Sequence, residues 1–252
     1  MLITVKGLVV KSTKYSDFDR LITVLTEEHG KVFFKACGIN SLKNKNAAAC
    51  SMYTYSEFVL RQRGEHAYLV RSSPLYYPLR YGCDLLRLSL AGYFAQITTD
   101  SVFDQETSGQ VLKLLANALV VISKKDREPD LIKAVFEMRL ATALGYAPLV
   151  EGCSQCGKET RELSQLYFDP LEGDLLCPDC FLGGRQAVSR DCVLLMRRAV
   201  ECDEKSAYAL HVPPDLLKEF CRVSEQFLLS QLDRSYDTLD FYKQAKELTK
   251  HD

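Results

Sequence analysis

Cys153-Ser154-Gln155-Cys156 and, twenty residues later, Cys177-Pro178-Asp179-Cys180 form two C-x2-C knuckles around a segment of hairpin length. Each knuckle aims two sulfurs at one point, and their separation is that of a four-thiolate metal site. Leu166-Tyr167-Phe168 has the composition of an outgoing strand, Asp169-Pro170-Leu171-Glu172-Gly173-Asp174 that of a turn, and Leu175-Leu176 that of a returning strand. Such a hairpin brings the second pair back to the first. Cys153, Cys156, Cys177 and Cys180 then fill every position around a structural Zn2+, leaving none for water or substrate. Iron also accepts four sulfurs, so the ligands alone leave zinc and iron open. A redox C-x2-C would open a helix in a βαβ setting, which neither knuckle does.

Outward from this ribbon, at about residues 150–184, the spacing on both sides is helical. Leu85, Leu86, Leu88, Tyr93, Phe94 and Ile97 can share one apolar face, and so can Val111, Leu112, Leu114, Leu115, Leu119 and Ile122. A third helix is expected from Asp130 to Leu144, closed by Gly145 with Pro148 beyond. After the ribbon, Ser189 can cap a helix through Val193, Leu194 and Met196. Another follows Pro213-Pro214 with Phe220, Val223, Phe227 and Leu228. The tail after Asp233 is expected to be partly frayed. Residues 81–252 therefore read as a helical domain with an inserted ribbon.

Residues 1–80 read differently. Strands are expected at Leu2–Lys11, Leu21–Thr26, Lys31–Cys37, Tyr53–Arg61 and His66–Arg71. In the first, Ile3, Val5 and Val9 oppose Leu2, Leu8 and Val10, and Gly7 marks a bend or bulge. Gly30 suits the positive φ of a turn. Five strands in about seventy residues fit a closed oligonucleotide-binding (OB-fold) barrel, because closure removes exposed edges; an SH3-like barrel stays open as the competing reading. The fold class is α+β.

The 252 residues are 47% hydrophobic and 26% charged, as in an ordinary globular protein. No apolar run is long enough to span a bilayer and the start lacks a signal-peptide layout, so a cytoplasmic protein without membrane contact is expected. Cys37, Cys50, Cys83, Cys192, Cys202 and Cys221 fall mostly in apolar segments and suit reduced core thiols rather than a disulfide framework. The net charge of −1 hides an asymmetry: residues 1–80 hold twelve Lys or Arg against six Asp or Glu, the remainder twenty against twenty-seven. A basic small domain beside an acidic larger one suits a polyanion for the first and proteins for the second.

No Gly-rich phosphate loop, nucleophile elbow or paired metal-ligand His occurs. His29, His66, His211 and His251 are scattered, and Asp17 and Asp19 beside Arg20 suit the bracing of a loop better than acid catalysis. The chain reads as a binder rather than an enzyme. Lys11, Lys14, Tyr15 and Arg20 surround the first inter-strand loop, Lys35 leads to Lys43 and Lys45, and Arg61, Arg63 and Arg71 lie on the last hairpin. On a barrel of this type, such residues meet phosphates while exposed aromatics stack on bases. The plainer reading places Tyr15, Phe18, Tyr53 and Tyr55 in the core or rim.

Three stretches resemble one family. They are Gly7-Leu8-Val9-Val10 with Tyr15-Ser16-Asp17-Phe18-Asp19-Arg20-Leu21 and Leu25-Thr26-Glu27-Glu28-His29-Gly30-Lys31; Phe136-Glu137-Met138-Arg139-Leu140 with Leu144-Gly145-Tyr146-Ala147-Pro148; and Phe168-Asp169-Pro170 through Gly173 to Leu176-Cys177-Pro178-Asp179-Cys180. In this order they resemble the bacterial recombination mediator RecO family. The resemblance implies a DNA-repair mediator without bond chemistry, cytoplasmic and nucleoid-associated. It would bind single- and double-stranded DNA, anneal strands and act with RecR. It would also contact the C-terminal tail of single-strand-binding protein, so that RecA is loaded. It places the peptide pocket in the helical domain, where Lys133 and Arg139 near Phe136 are candidates. Where many relatives carry an Arg- and Lys-rich run, this chain has Gly38-Ile39-Asn40-Ser41-Leu42-Lys43-Asn44-Lys45. An RNA-binding transcription or translation accessory protein and a protein-only adaptor stay open beside it.

Overall fold

The computed structural model describes residues 1–79, 82–102 and 105–249. Arg80 and Tyr81, where the sequence places the change from strand to helix, and His251 lie outside them. Two compact units result, one of Met1–Lys124 with Tyr236–Asp252, the other of Lys125–Ser235.

In the first unit β1 (Leu2–Lys14), β2 (Arg20–Thr26), β3 (Lys31–Ala36), β4 (Tyr55–Arg63) and β5 (His66–Tyr76) close into a barrel of order β1-β2-β3-β5-β4. Alternation sends Val5, Val9, Ile22, Val24, Phe34, Ala36, Phe58 and Leu60 inward, where the rings of Phe34 and Phe58 meet at 5.1 Å. The long β1 serves both halves of the barrel, pairing with β4 from Leu2 to Leu8 and with β2 from Gly7 to Lys14. Gly7 sits where the two pairings overlap. A Cβ there would lie 2.3 Å from the Leu25 carbonyl oxygen, so the close approach requires glycine. The expected bulge falls instead between Val9 and Lys11. Ser12 to Lys14, expected in a loop, continue the ladder opposite Ile22 to Arg20. The fourth strand begins at Tyr55 because Tyr53, with φ of 63°, cannot extend it. Gly30 does adopt a positive φ, 62°, and its carbonyl closes the β2–β3 turn by accepting from the Thr26 N–H at 2.9 Å.

Leu8, Val10 and Leu25 point away from the barrel interior yet are buried. Helices α1 (Leu85–Ser101) and α2 (Ser108–Ile122) pack on β1 and β2, and the Ser108 hydroxyl donates to the Thr26 carbonyl at 2.5 Å. Through Thr249 the tail does not fray. It forms α7 (Asp237–Leu248), which packs along α1 with Tyr236, Leu239, Tyr242 and Ala245 buried.

The second unit holds α3 (Pro129–Ala143), β6 (Gln165–Asp169), β7 (Asp174–Leu176), β8 (Gln186–Ser189), α4 (Arg190–Glu201), α5 (Glu204–Ala207) and α6 (Pro214–Leu232). α3 packs on α6 and α4, and Ser189 caps α4 by accepting from the Cys192 N–H at 3.1 Å. The ribbon hairpin of β6 and β7 gains a third strand, β8, in the order β7-β6-β8. Phe168 of the ribbon meets Phe227 of α6 edge to face at 5.6 Å, so the ribbon is seated on the helices of its own unit. Among the described residues, no helix is long and apolar enough to cross a membrane.

Candidate metal centre and nucleic-acid interface

The β6–β7 turn accounts for the meeting of the knuckles. Asp169 accepts from Leu171 N–H at 2.9 Å and from Gly173 N–H through its carbonyl at 2.8 Å, which folds the chain back. Cys153 N–H donates to the Lys158 carbonyl at 2.9 Å and Ser154 N–H to that of Leu175 at 2.8 Å, so the first knuckle is fixed to β7. The sulfurs of Cys153, Cys156, Cys177 and Cys180 all lie within 4.8 Å of one another. Four sulfurs each about 2.3 Å from one tetrahedral ion stand about 3.8 Å apart. Cys156 Sγ and Cys177 Sγ are separated by 3.7 Å. Burial opposes ionisation of the Cys153 thiol, but the N–H groups of Cys177, Cys156 and Gln155 outweigh it and bring it down to about 6. Contact with Cys177, then burial, pushes Cys180 up to about 12. Thiols crowded in this way cannot all ionise alone, and a bound dication relieves that conflict. The four residues can therefore hold one metal ion. Around them Lys158 pairs with Asp179 at 2.5 Å, and the rings of Tyr167 and Phe181 stack at 3.6 Å.

All ten cysteines are thiols outside any disulfide. Of the six outside the knuckles only Cys50 and Cys192 are buried, which pushes their thiols up to about 11 and about 12; Cys37 is exposed.

The barrel register sorts the cationic candidates. Leu21 is opposite Lys35, Lys35 opposite Tyr68, and Tyr68 opposite Arg61. Directly paired residues share a face, and their strand neighbours Ile22, Phe34 and Leu60 point inward. Leu21, Lys35, Tyr68 and Arg61 thus form one row across the outer face of β2, β3, β5 and β4. Phe33, 53% exposed, stands one step along that face, with Lys11 in the same cross-strand line through Thr23. Tyr68 and Phe33 escape a search for basic loops, although strand alternation places both outside. Lys14 and Arg20 pair with each other on the inward phase at the barrel's end, where Arg20 is half-buried beside Ala36. Lys43 and Lys45 are exposed on the β3–β4 loop, and Arg61 and Arg63 on β4.

Asp19 braces the first loop, as its sequence setting suggests. It accepts from the Gly38 N–H at 2.8 Å and pairs with Lys35 at 2.9 Å, and these contacts hold its carboxyl below the usual range. The Lys35 ammonium also lies 3.9 Å over the Tyr15 ring. Lys14 pairs with Asp17 at 2.8 Å, a contact open to water.

In the helical unit Lys133 is buried, its ammonium 2.8 Å from both Glu137 and Glu225. Burial opposes its charge, but Glu137 and Glu225 raise it above the usual lysine value. A peptide carboxylate would have to displace one of these partners. Arg139 donates to the Cys202 carbonyl. A separate, largely apolar cleft of about 220 Å³ opens between α4 and α6, lined by Leu194, Leu195, Leu210, Val212 and Leu216 together with Arg198, His211 and the acidic Asp191.

Residues 1–77 match the family model for the N-terminal part of recombination protein O, and residues 83–240 that for its C-terminal part. The chain is 31% identical over 242 residues to a DNA repair protein RecO of Acetivibrio thermocellus, covering 94% of each. It is 25% identical to one of Symbiobacterium thermophilum, covering 95% of this chain and 96% of the relative, and 29% identical to one of Moorella thermoacetica, covering 92% and 87%.

Proposed function

The chain belongs to the recombination protein O family, and on that premise we propose that it is a recombination mediator in DNA repair that holds single- and double-stranded DNA on its barrel. The observation that carries the reading is the outer row of Leu21, Lys35, Tyr68 and Arg61 with Phe33 beside it. Cations there neutralise phosphates, and aromatic and apolar side chains stack on bases without sequence preference. Lys11, Lys14, Tyr15, Lys43, Lys45 and Arg63 extend this surface, and Arg20 supports it from the barrel's end. Binding two strands non-specifically favours annealing by raising their local concentration, and no bond chemistry is required.

The division of labour follows. Residues 1–80 meet DNA, and residues 81–252 serve RecR and the tail of single-strand-binding protein, so that RecA gains access to the strand. A short acidic peptide with an apolar end suits the cleft where Arg198 and His211 outnumber Asp191 in the lining, with Arg139 and Lys133 as the alternative placement. The metal is Zn2+ in a structural role, because four thiolates leave no open position. It holds the ribbon, at about residues 150–184, to the helices.

A salt series of binding to labelled single-stranded DNA and RNA, with and without a complementary strand, tests the reading. Steeply salt-dependent DNA binding with faster annealing supports it. Preference for RNA, or no polynucleotide binding at moderate salt, overturns it.

A further inference from the structure

Phe18 is 67% exposed at the tip of the β1–β2 loop, and Leu42 is fully exposed at the tip of the β3–β4 loop. Loops that merely connect strands carry polar tips. These apolar tips are also held in place. The Asn40 N–H donates to the Phe18 carbonyl at 3.1 Å and the Asn40 side chain to that of Asp17 at 3.0 Å, which stitches the loops together. Asp19 fastens them again at Gly38. Asn44 donates to the Gly38 carbonyl at 2.9 Å, and Asn46 accepts from the Ser72 N–H at 2.7 Å, which anchors the second loop to β5. Lys43 and Lys45 are exposed just after Leu42 in the chain, and beside Phe18 the exposed Asp17 is paired with Lys14 at 2.8 Å. A rigid apolar point with exposed lysines beside it is complementary to a base stack edged by phosphates.

Building on the DNA reading above, we infer that Phe18 and Leu42 form a wedge that inserts at the junction between single- and double-stranded DNA. One tip covers the terminal base pair and the lysines hold the flanking phosphates. Apolar side chains enter base steps in this way when nearby cations compensate the lost stacking. The wedge gives the protein a preference for the place where annealing or separation proceeds.

The test uses the full chain and a junction oligonucleotide carrying 2-aminopurine at the first paired position. A single strand and an unbroken duplex of the same length serve as controls. The wild type is expected to bind the junction about tenfold tighter than either control and to brighten the probe as its base unstacks. Phe18→Ala with Leu42→Ser is expected to lose the preference and the brightening while keeping single-strand affinity and salt dependence. Phe18→Trp is expected to retain both effects. Circular dichroism checks that these exposed substitutions leave the fold intact. Equal wild-type affinities for junction and controls overturn the wedge and leave DNA binding standing. So does a variant with an unchanged DNA profile, which would assign the tips to a protein or lipid surface. A variant weakened equally on all three substrates reduces the tips to ordinary contacts and also overturns it. A wild type that binds none of the three overturns the wedge and the mediator reading together.

Discussion

The ammonium of Lys35 lies 2.9 Å from Asp19 Oδ2, so the central cation of the barrel's outer row is already partnered. A phosphate reaching Lys35 must compete with that carboxylate. Asp19→Asn keeps an oxygen for the Gly38 N–H and removes the competing charge. Its expected effect is tighter single-strand binding and a salt slope steeper by about 0.7, the value of one added phosphate contact. Fluorescence titrations at several salt concentrations check it. The pH sign follows from the lowered pKa, caused first by the Gly38 N–H and then by Lys35. The wild-type brace contributes fully above the ordinary value of 3.8 and is lost as pH falls through the lowered one.

Tyr68 and Arg61 are opposite each other on β5 and β4 but serve different terms. Tyr68→Ala is expected to weaken single-strand binding by about 1–3 kcal/mol with an unchanged salt slope, because stacking releases no counterions. Arg61→Gln is expected to flatten the slope by about 0.7. The pair separates stacking from phosphate contact in one set of titrations.

Lys43→Glu with Lys45→Glu is expected to weaken DNA binding and flatten its salt dependence, because both lysines are exposed on the loop that carries Leu42. Unchanged titrations would move the groove away from this loop.

Lys133 and Glu137 form a pair one helical turn apart, both almost wholly buried. Lys133→Met removes the ammonium that faces the buried Glu137 carboxylate, which keeps the hydrogen bond from the Ser224 hydroxyl at 2.9 Å, a loss expected to cost about 3–5 kcal/mol in urea unfolding. The deficit should shrink as pH is lowered from 7 to 5, because a buried carboxyl that has lost the Lys133 ammonium binds a proton more readily in the folded state than in the unfolded one. Lys133→Met with Glu137→Leu should recover most of the loss.

The four-cysteine cluster was legible because knuckle spacing and turn composition are local, and the barrel because strand alternation and turn residues recur at short intervals. Less local features were not. β8 carries only Val188 as a buried apolar residue, too little pattern to mark a strand. α7 exposes most of its surface, and its stripe of Tyr236, Leu239 and Tyr242 gains meaning only when α1 supplies the opposite face. Lys133 stood as a candidate for the peptide pocket because sequence shows its charge but not the two carboxylates that come to meet it. Tyr68 and Phe33 fell outside the DNA candidates because their shared face depends on register across β3 and β5, which no local pattern states.

The ribbon and α6 meet through Phe168 and Phe227, and a Cβ on Gly173 would lie 3.1 Å from the Phe227 ring. The knuckles hold the hairpin in the shape that makes this contact, so on the proposed reading loss of a bound ion would be transmitted to the helices through a buried aromatic pair. Purified protein is expected to carry one zinc per chain by elemental analysis. Cys153→Ser with Cys177→Ser is expected to carry none, because two remaining thiolates cannot hold the ion at four-coordinate strength. Its far-UV circular dichroism should lose helical signal and its melting temperature should fall as Phe227 becomes exposed. Single-strand binding should persist, because the barrel closes through its own strands. A variant that keeps full helicity and melts with the parent would show that the helices fold without the ribbon, and the structural role of the metal would then be wrong.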